Sequence, residues 1–397
     1  MHEDRTYDVI VVGGGPAGAT AAHELARLGR DVLLLDRGGR IKPCGGAIPP
    51  ILIEEFGIPD HLIRARVRSA RIVSPSDRQV DMPIDGDGYV GMVDREDFDE
   101  WLRVRAADAG AERVTASFRR LSRADDGTAV VHLRTREGVE LAARARAVLG
   151  ADGARSEVAR QSVPGADRIP YVAAYHEIVR SPEPGSGARF DAKRCDVYYR
   201  GELSPDFYAW VFPHGDTTSV GVGSACKGFS LRGAVSQLRA DAGLAGVDTV
   251  RREGAPIPLR PLKRWDNRRD VLVVGDAAGI VAPASGEGIY YAMLGGRLGG
   301  EAVERFLVTG DARELAQARR RFMRAHGKVF WVLGIMQRFW YSSDKRRERF
   351  VTMCADPDVQ HLTWQAYMHK RLVRAKPVAH ARIFFKDLGH LLGLGRA

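Results

Sequence analysis

The first 36 residues contain the pattern that most restricts how this chain can fold. Residues 7–12 form a short β-branched run typical of a strand, and residues 31–36 form a second apolar strand. Between them, residues 16–28 are rich in alanine and have helical spacing. Because the strand, the helix and the second strand follow one another directly, they predict a βαβ unit with two parallel strands.

The turn between the first strand and the helix carries the G-x-G-x-x-G spacing on Gly13, Gly15 and Gly18. In such a turn the first glycine allows a sharp bend, the second admits a pyrophosphate to the backbone, and the third lets helix and strand pack closely. A carboxylate at the end of the second strand, here Asp36, would accept hydrogen bonds from ribose hydroxyls. We therefore predict a dinucleotide site formed by Gly13, Gly15, Ala17, Gly18, Asp36 and Arg37.

Two further motifs follow predicted strands. One is Ala-Asp-Gly-Ala-Arg-Ser at residues 151–156, and the other is Gly-Asp-Ala-Ala-Gly at residues 275–279, which continues to Gly288. Either motif alone could be a strand-to-helix turn of no special use. Together with the first glycine turn, they resemble the three-motif set of the para-hydroxybenzoate-hydroxylase-like FAD superfamily.

This resemblance implies roles for particular residues. Asp276 would bind the ribityl or pyrophosphate region of FAD, and residues 286–288 would lie against the isoalloxazine. A helix starting near Gly288 would point its positive end at the flavin N1–C2=O edge. Arg95 matches the superfamily's arginine near FAD, and a surface charge at a helix start is the alternative. The cofactor-binding residues implied by the resemblance are Arg95, Asp152, Gly153, Arg155, Gly275, Asp276, Pro283, Gly286 and Gly288.

Residues 42–49, Lys-Pro-Cys-Gly-Gly-Ala-Ile-Pro, place a thiol beside glycines shortly after the nucleotide-binding strand. Because glycine has no side chain, it lets backbone and sulfur approach a bound group. We therefore predict that Cys44, Gly45 and Gly46 lie beside the flavin. Cys44 could be a packed thiol, a residue that shapes the flavin face, or a redox or proton-relay group.

Three stretches narrow the resemblance. They are residues 42–49, residues 208–213 together with 219–223, and residues 275–288. These stretches look like the geranylgeranyl reductase family, and residues 42–49 are most similar to its chlorophyll and bacteriochlorophyll branch. The similarity extends over about residues 5–310.

The family resemblance implies an FAD-dependent enzyme that consumes NADPH. It would saturate three of the four double bonds of a geranylgeranyl chain, carried by (bacterio)chlorophyll or as the diphosphate, to give phytyl. An isolated alkene has no carbonyl to stabilise a carbanion, so hydride from flavin N5 must be accompanied by a proton. A second dinucleotide fingerprint is absent from the sequence, so NADPH is expected to dock transiently.

Aromatic side chains suit a prenyl substrate. Tyr208, Trp210 and Phe212 alternate along a predicted strand and therefore share one face. We expect Tyr208 and Trp210 in the substrate tunnel and Phe212 in the core beneath the sheet. The predicted catalytic residues are Cys44, Tyr208 and Trp210.

Other activities stay open on this scaffold. One is reduction of prenyl chains on ether lipids or quinones, and another is aromatic monooxygenation or halogenation. A halogenase would be expected to carry Trp-x-Trp-x-Ile, which the sequence lacks. A non-catalytic pigment carrier would not need three flavin motifs.

The order of predicted elements indicates an α/β fold: a Rossmann-like FAD-binding domain of the para-hydroxybenzoate-hydroxylase-like superfamily with an inserted antiparallel sheet and a helical C-terminal region. We expect the discontinuous FAD-binding domain to comprise residues 1–70, 95–165 and 265–310. The substrate domain would comprise residues 71–94 and 166–264, and the basic helical region residues 311–397.

The four cysteines are scattered without a C-x-x-C pair, which fits a reducing cytosol and argues against disulfides or a metal site. No apolar run is long enough to span a membrane, and the polar N-terminus does not resemble a signal peptide. These features predict a cytoplasmic protein.

The net charge of +10 is unevenly placed. Residues 311–397 hold 18 Lys and Arg against 7 Asp and Glu, interleaved with aromatic residues that include Phe384 and Phe385. This region could be a solvated helical face, or a surface for anionic lipid that brings the protein to the photosynthetic membrane. Nucleic acid is not expected as a partner, since no nucleic-acid fold signature accompanies the charge.

Overall fold

The computed structural model describes residues 5–39, 41–183 and 189–370. These three ranges contain sixteen strands and nine α-helices. The strands are β1 (Thr6–Val12), β2 (Val32–Asp36), β3 (Ala47–Ile48), β4 (Ile63–Val67), β5 (Ser69–Val73), β6 (Gln79–Pro83), β7 (Val90–Val93), β8 (Glu112–Arg123), β9 (Ala129–Thr135), β10 (Glu140–Gly150), β11 (Tyr171–Arg180), β12 (Arg194–Tyr198), β13 (Ala209–Pro213), β14 (Thr217–Ser224), β15 (Thr249–Pro258) and β16 (Val271–Val273). The helices are α1 (Pro16–Arg27), α2 (Pro50–Phe56), α3 (Arg95–Asp108), α4 (Glu157–Ser162), α5 (Leu231–Asp241), α6 (Ile289–Thr309), α7 (Ala316–Trp340), α8 (Asp344–Met353) and α9 (Pro357–His369).

A six-stranded sheet forms the first half of the fold. Strand β1 pairs in parallel with β2 and β10, while β2 pairs in parallel with the start of β8, and β10 with β16. The rest of β8, together with β9 and the first part of β10, forms an antiparallel arm. Because β1, β10 and β16 run in the same direction, the turns that follow them meet at one edge of the sheet. These turns carry the three predicted flavin motifs.

Helix α6 packs against α1 on one face of this sheet. The contact is close because Gly296 of α6 faces the backbone carbonyl of Ala17, where any side chain would overlap it. Gly299 and Gly300 continue the row of small residues, facing β16 and α1 respectively. The small residues predicted for this helix therefore allow α6 to pack closely against α1.

A seven-stranded sheet forms the second half, in the order β15-β11-β14-β13-β12-β5-β6. All its pairs are antiparallel except β12 with β5. Helix α5 covers one face, where Val235 and Leu238 pack with Val220 and Val222. On the other face, an aromatic cluster that includes Tyr208 packs with residues of α7 and α8.

The seven-stranded sheet draws its strands from two separate parts of the chain, β5–β6 and β11–β15. A third, small sheet has the order β3-β7-β4. Its strands β3 and β4 precede residue 70, where the first predicted segment of the FAD-binding domain ends, and β7 follows it. The small sheet therefore connects both sides of that boundary, and the domain limits stay a prediction.

Three helices, α7–α9, follow the two halves, as expected for a helical C-terminal region. Phe322 and Phe330 of α7 pack against Tyr291 of α6, with ring centroids 5.9 and 4.9 Å from it. Of the part of the chain that the structure describes, no helix is both long and apolar enough to cross a bilayer. Residues 371–397, with Phe384 and Phe385, lie outside the described residues.

Candidate active site

A cavity opens between the motif-bearing edge of the six-stranded sheet and the aromatic face of the seven-stranded sheet. It contains about 780 Å³ of empty space, including its mouth. Pro16 and Ile289, which begin α1 and α6, line it from one side, and Ile257 of β15 lines it from the other. The predicted site residues that line this cavity are Cys44, Gly45, Arg95, Tyr208, Trp210, Asp276, Gly286 and Gly288.

The glycine turn leaves the start of α1 open. Gly13 has a φ of +107°, and a β-carbon there would lie 2.9 Å from the amide nitrogen of Asp152. Gly18 faces the carbonyl of Gly13 so closely that a side chain would overlap it. Gly15 caps α1 without a side-chain hydrogen bond, and no atom lies within 4 Å of where its β-carbon would be. The free N–H groups at this helix start are suited to an anion.

Asp36 holds the glycine turn through backbone hydrogen bonds. The Gly14 N–H donates to Asp36 Oδ2 at 2.9 Å, and the Gly38 N–H donates to Asp36 Oδ1 at 2.8 Å. Each carboxylate oxygen keeps a further lone pair for a ribose hydroxyl. Arg37 is exposed. Arg103, which the sequence reasoning missed, donates to the carbonyl of Gly14 at 3.2 Å.

The second motif supports a helix start. Asp152 accepts hydrogen bonds from the Ser156 hydroxyl at 2.5 Å and from the Glu157 N–H at 2.7 Å, at the beginning of α4. Burial raises the pKa of Asp152. Gly153, with a φ of +88°, has open space around it, and Arg155 is exposed. The motif lies against Gly13, outside the wall of the cavity.

The third motif contains a buried carboxylate at the cavity wall. Asp276 forms an ion pair with Lys42, which also lines the cavity. Gly275, with a φ of +62°, packs so closely on Ala17 that their β-carbons would be 2.7 Å apart. Pro283 is buried. Sequence reasoning did not select Lys42, although it stands two positions before Cys44.

Two tyrosines hold the turn that precedes α6. The Tyr208 hydroxyl donates to the carbonyl of Ser285 at 2.5 Å, and the Tyr341 hydroxyl donates to the carbonyl of Ala284 at 2.9 Å. Burial raises the pKa of Tyr208, so this hydroxyl stays protonated. Gly288 caps α6 without a side-chain hydrogen bond, which leaves the positive end of the helix open at the cavity.

The cysteine-glycine-glycine stretch packs against the end of β13. A β-carbon on Gly45 would lie 2.9 Å from the ring of Phe212. Gly46, with a φ of +71°, faces His214, whose Nε2–H donates to the carbonyl of Gly45 at 3.0 Å. Burial lowers the pKa of His214 to about 4. Both glycines are required because no side chain would fit, and the resulting loop presents Cys44 to the cavity.

Arg95 is buried, and the alternative of a surface charge is therefore wrong. Its guanidinium makes two hydrogen bonds to Asp99, at 2.8 and 2.7 Å, one helical turn further along α3. Although burial opposes the charge, the Asp99 carboxylate and then the Cys44 sulfur raise the pKa of Arg95. A carboxylate four residues after the arginine was the sequence signal for this pair.

The aromatic wall has more members than expected. Tyr208 and Trp210 line the cavity, and so does Phe212, which is only half-buried. Phe212 packs against two core clusters, as predicted, but Gly45 also leaves its ring beside the cavity. His176 of β11 also lines the wall and was missed. Its only sequence signal was alternation with Ala174, another lining residue on the same strand.

The arrangement fits FAD. Two uncapped helix starts, those of α1 and α6, border one cavity and can face the pyrophosphate and the flavin N1–C2=O edge. Asp36 and Asp276 are the carboxylates that would accept hydrogen bonds from the ribose and ribityl hydroxyls. Within residues 5–39, 41–183 and 189–370, no cluster of three or more His, Cys, Asp or Glu side chains could hold a metal ion.

Comparison with known families and structures identifies the fold class. Residues 6–171 match the family described as FAD binding domain. The crystal structure of a geranylgeranyl bacteriochlorophyll reductase-like protein from Thermoplasma acidophilum superposes with a TM-score of 0.81, at 22% identity, and covers 94% of this chain and 99% of that one. The flavin-dependent brominase Bmp2 superposes with a TM-score of 0.72 at 16% identity, covering 96% of this chain and 99% of that one. The protein is thus an FAD-binding flavoprotein, and the predicted fold class is confirmed.

Relatives with similar sequences show to which family of flavoproteins the chain belongs. The chain is 55% identical to geranylgeranyl diphosphate reductase of Rhodobacter capsulatus, covering 98% of both chains. It is 37% identical to the chloroplastic geranylgeranyl diphosphate reductase of Oryza sativa, covering 98% of this chain and 87% of that one. Digeranylgeranylglycerophospholipid reductase 1 of Methanopyrus kandleri is 35% identical over 75% of this chain and 80% of its own. The chain belongs to the FAD-dependent geranylgeranyl reductase family.

Proposed function

We propose that this protein is an oxidoreductase that saturates carbon–carbon double bonds of a geranylgeranyl chain. The observation that carries the proposal is a cavity in which the first and third flavin motifs face an aromatic wall. Asp276 and Gly288 line one side, and Trp210 and Phe212 line the other. Such a wall can hold an apolar chain against the flavin site. When bound there, FAD supplies hydride chemistry at N5.

Saturation of each alkene adds a hydride to one carbon and a proton to the other. We assign the proton to the Cys44 thiol, which lines the cavity beside buried Arg95. Water that enters through the mouth of the cavity then returns a proton to the thiolate that remains. Tyr208 and Trp210 hold the prenyl chain, and the Tyr208 hydroxyl also keeps the 284–286 turn in place.

The finer assignment concerns the donor and the substrate. We propose that NADPH provides the reducing equivalents and that three double bonds are reduced, which converts geranylgeranyl to phytyl for (bacterio)chlorophyll biosynthesis. The near full-length relatives named geranylgeranyl diphosphate reductase support the prenyl chain. The chain could be reduced as the diphosphate or after attachment to the pigment.

An alternative substrate is a prenyl ether lipid. The Methanopyrus kandleri relative supports it, but at 35% identity over 75% of this chain, against 55% over 98% for the Rhodobacter capsulatus relative. A quinone side chain presents the same chemistry to the cavity. Aromatic monooxygenation ranks below both, because the support from that class is limited to fold-level similarity.

We also propose that the protein is cytoplasmic and reaches the photosynthetic membrane as a peripheral protein through α7. On one face of α7, Trp331 and Ile335 are 69% and 47% exposed. Arg324, Lys328 and Arg338 are exposed on the same face, at helical spacing of three and four residues. Exposed apolar side chains flanked by cations are typical of helices that lie in the interface of an anionic bilayer.

The decisive experiment uses the flavin-loaded protein under anaerobic conditions. The bound flavin is reduced, and geranylgeranyl diphosphate, geranylgeranylated pigment or a digeranylgeranyl ether lipid is added separately. We expect flavin reoxidation and stepwise mass increases of two hydrogens with one of the first two substrates. Reoxidation only with the ether lipid would favour the alternative. NADPH-dependent oxygen consumption with a phenol, without reaction of any prenyl substrate, would refute the proposal.

The role of Cys44 is tested by substitution with alanine. Cys44→Ala should retain FAD, seen in the visible spectrum, and slow alkene reduction by at least about tenfold, a magnitude typical of a lost proton donor. Cys226→Ala is the control, since Cys226 is an exposed free thiol. Wild-type turnover by Cys44→Ala would show that the thiol only packs at the cavity wall.

A further inference from the structure

A chain of hydrogen bonds crosses four neighbouring strands of the seven-stranded sheet, β15, β11, β14 and β13. The indole N–H of Trp210 donates to Ser219 Oγ at 3.0 Å. Ser219 Oγ lies 2.9 Å from His176 Nδ1, and His176 Nε2 lies 2.9 Å from Glu253 Oε2. The other carboxylate oxygen of Glu253 is 2.7 Å from Arg251 Nε. These contacts thus connect Trp210 at the cavity wall with the Arg251–Glu253 ion pair on β15, the strand at one edge of the sheet.

The direction of this chain follows from its two ends. An indole N–H can only donate, and a carboxylate can only accept. Ser219 therefore accepts from Trp210 and donates to Nδ1 of His176, whose Nε2–H donates to Glu253. In this arrangement each donor has its own acceptor.

The members of the chain are enclosed in the protein. Ser219, His176 and Trp210 are 0%, 2% and 6% exposed. Leaving a buried donor or acceptor unpaired costs more than an ordinary hydrogen bond contributes. The loss of one hydrogen bond therefore mainly affects the two groups that it joins.

Gly221 of β14 makes room for the indole. It pairs across the sheet with both His176 and Trp210. A β-carbon at Gly221 would overlap the Trp210 ring and would lie 2.6 Å from the His176 β-carbon. Without a side chain at this position, the indole can lie over β14, where Ser219 receives its N–H. The sheet thus offers the Trp210 ring a single place at the cavity wall.

We infer that His176 is a positioning residue for the prenyl substrate, acting through Ser219 on the indole of Trp210. This inference rests on the proposed function. A fixed indole gives the prenyl chain of the substrate one path along the aromatic wall between Tyr208 and Phe212. The ring centroids of these two residues are 6.0 and 6.3 Å from that of Trp210. An indole that can rotate holds the prenyl chain less tightly. Partly reduced prenyl chains then leave the cavity before the last reduction.

Two substitutions of His176 each keep one of its two side-chain hydrogen bonds and break the other. In His176→Asn the amide oxygen takes the place of Nδ1 and can accept from Ser219, whereas in His176→Gln the longer amide reaches only toward Glu253. We expect His176→Asn to keep the wild-type KM for geranylgeranyl diphosphate. His176→Gln and Ser219→Ala should raise KM about fivefold, the effect of one buried hydrogen bond, with little change in kcat and more partly reduced product. His132→Gln is the matched control, because His132 pairs with Ser122 in the antiparallel arm, outside the cavity wall.

The outcomes separate this inference from the proposed function. Equal KM values for His176→Asn and His176→Gln, or a wild-type product pattern for Ser219→Ala, would overturn the positioning role. A wild-type protein that reduces no prenyl substrate would instead overturn the proposed function. In that case the near-ultraviolet circular dichroism still tests the link without substrate: Trp210→Phe identifies the Trp210 signal, which His176→Gln should change and His176→Asn should preserve.

Discussion

The ammonium group of Lys370 forms an ion pair with the carboxylate of Glu287, and the two side chains are only 3% and 6% exposed. Lys370 directly follows α9, whereas Glu287 lies between Gly286 and Gly288, which line the cavity. The ring of Tyr367 adds a cation–π contact, with its centroid 4.2 Å from the ammonium. The end of α9 is therefore tied to the turn that precedes α6.

Replacing Lys370 with methionine should destabilise the protein and weaken FAD retention. The substitution leaves Glu287 buried without its cation, and breaking one side of a buried pair typically costs about 3–5 kcal/mol. Thermal unfolding and the fraction of bound flavin after gel filtration measure the two effects. The double variant Lys370→Met with Glu287→Gln should recover much of the loss. A single variant with the wild-type Tm would show that the pair contributes nothing to folding.

Gly46 and Gly29 form a matched pair for testing the cysteine-glycine-glycine loop. Both have positive φ, +71° and +78°, but Gly46 faces His214 and the Val93 carbonyl, whereas Gly29 has open space around it. Gly29→Ala should cost about 1 kcal/mol from backbone strain alone. Gly46→Ala should cost several times more in the free energy of unfolding and displace Cys44 from the cavity. Equal losses in urea unfolding would contradict the packing argument.

We expect the free energy of unfolding to decrease as the pH decreases below 6.5, and His214 is the cause. Its pKa is lowered by burial from 6.5 to about 4, so between these values the unfolded chain binds a proton that the folded chain does not. The contribution is therefore fully present above pH 6.5 and is lost as the pH falls toward 4. It amounts to at most about 3 kcal/mol. His326 shifts in the same direction.

The variant His214→Gln removes this titration and keeps a donor for the Gly45 carbonyl. We expect a shallower decrease in Tm between neutral pH and pH 4 than in the wild-type protein. His61→Gln serves as the control, since His61 is exposed. If His214→Gln leaves the decrease in Tm toward pH 4 unchanged, the lowered pKa of His214 is not the cause of that decrease.

The exposed face of α7 can be tested with vesicles. Trp331→Ser combined with Ile335→Ser should weaken binding to anionic vesicles about tenfold or more, because these side chains provide apolar area at the interface. Neutral vesicles should bind poorly to both forms, and salt should weaken the anionic contact. Val250→Ser is the control, as Val250 is 51% exposed on β15. Unchanged cosedimentation would leave α7 as an ordinary solvated helix.

Much of the fold could be predicted because its signals are local. The strand, glycine turn and helix at residues 6–27 are adjacent in the chain, and parallel strands necessarily bring their carboxyl ends to one edge. The motifs after β10 and β16 could be placed by the same rule. The glycines at positions 45 and 46 were predicted to let the backbone approach a flavin, whereas the groups that the structure places against them are the Phe212 and His214 side chains.

The sequence by itself determined the βαβ unit, the family and several of the residues that line the cavity, since each of these depends on short spacing or on turn geometry. The tertiary structure alone decided that Arg95 is buried, that Phe212 faces the cavity and that Lys42 pairs with Asp276. It also decided that His176 reaches Trp210 through Ser219. These contacts join residues far apart in the chain, and local periodicity carries no information on which distant strands become neighbours.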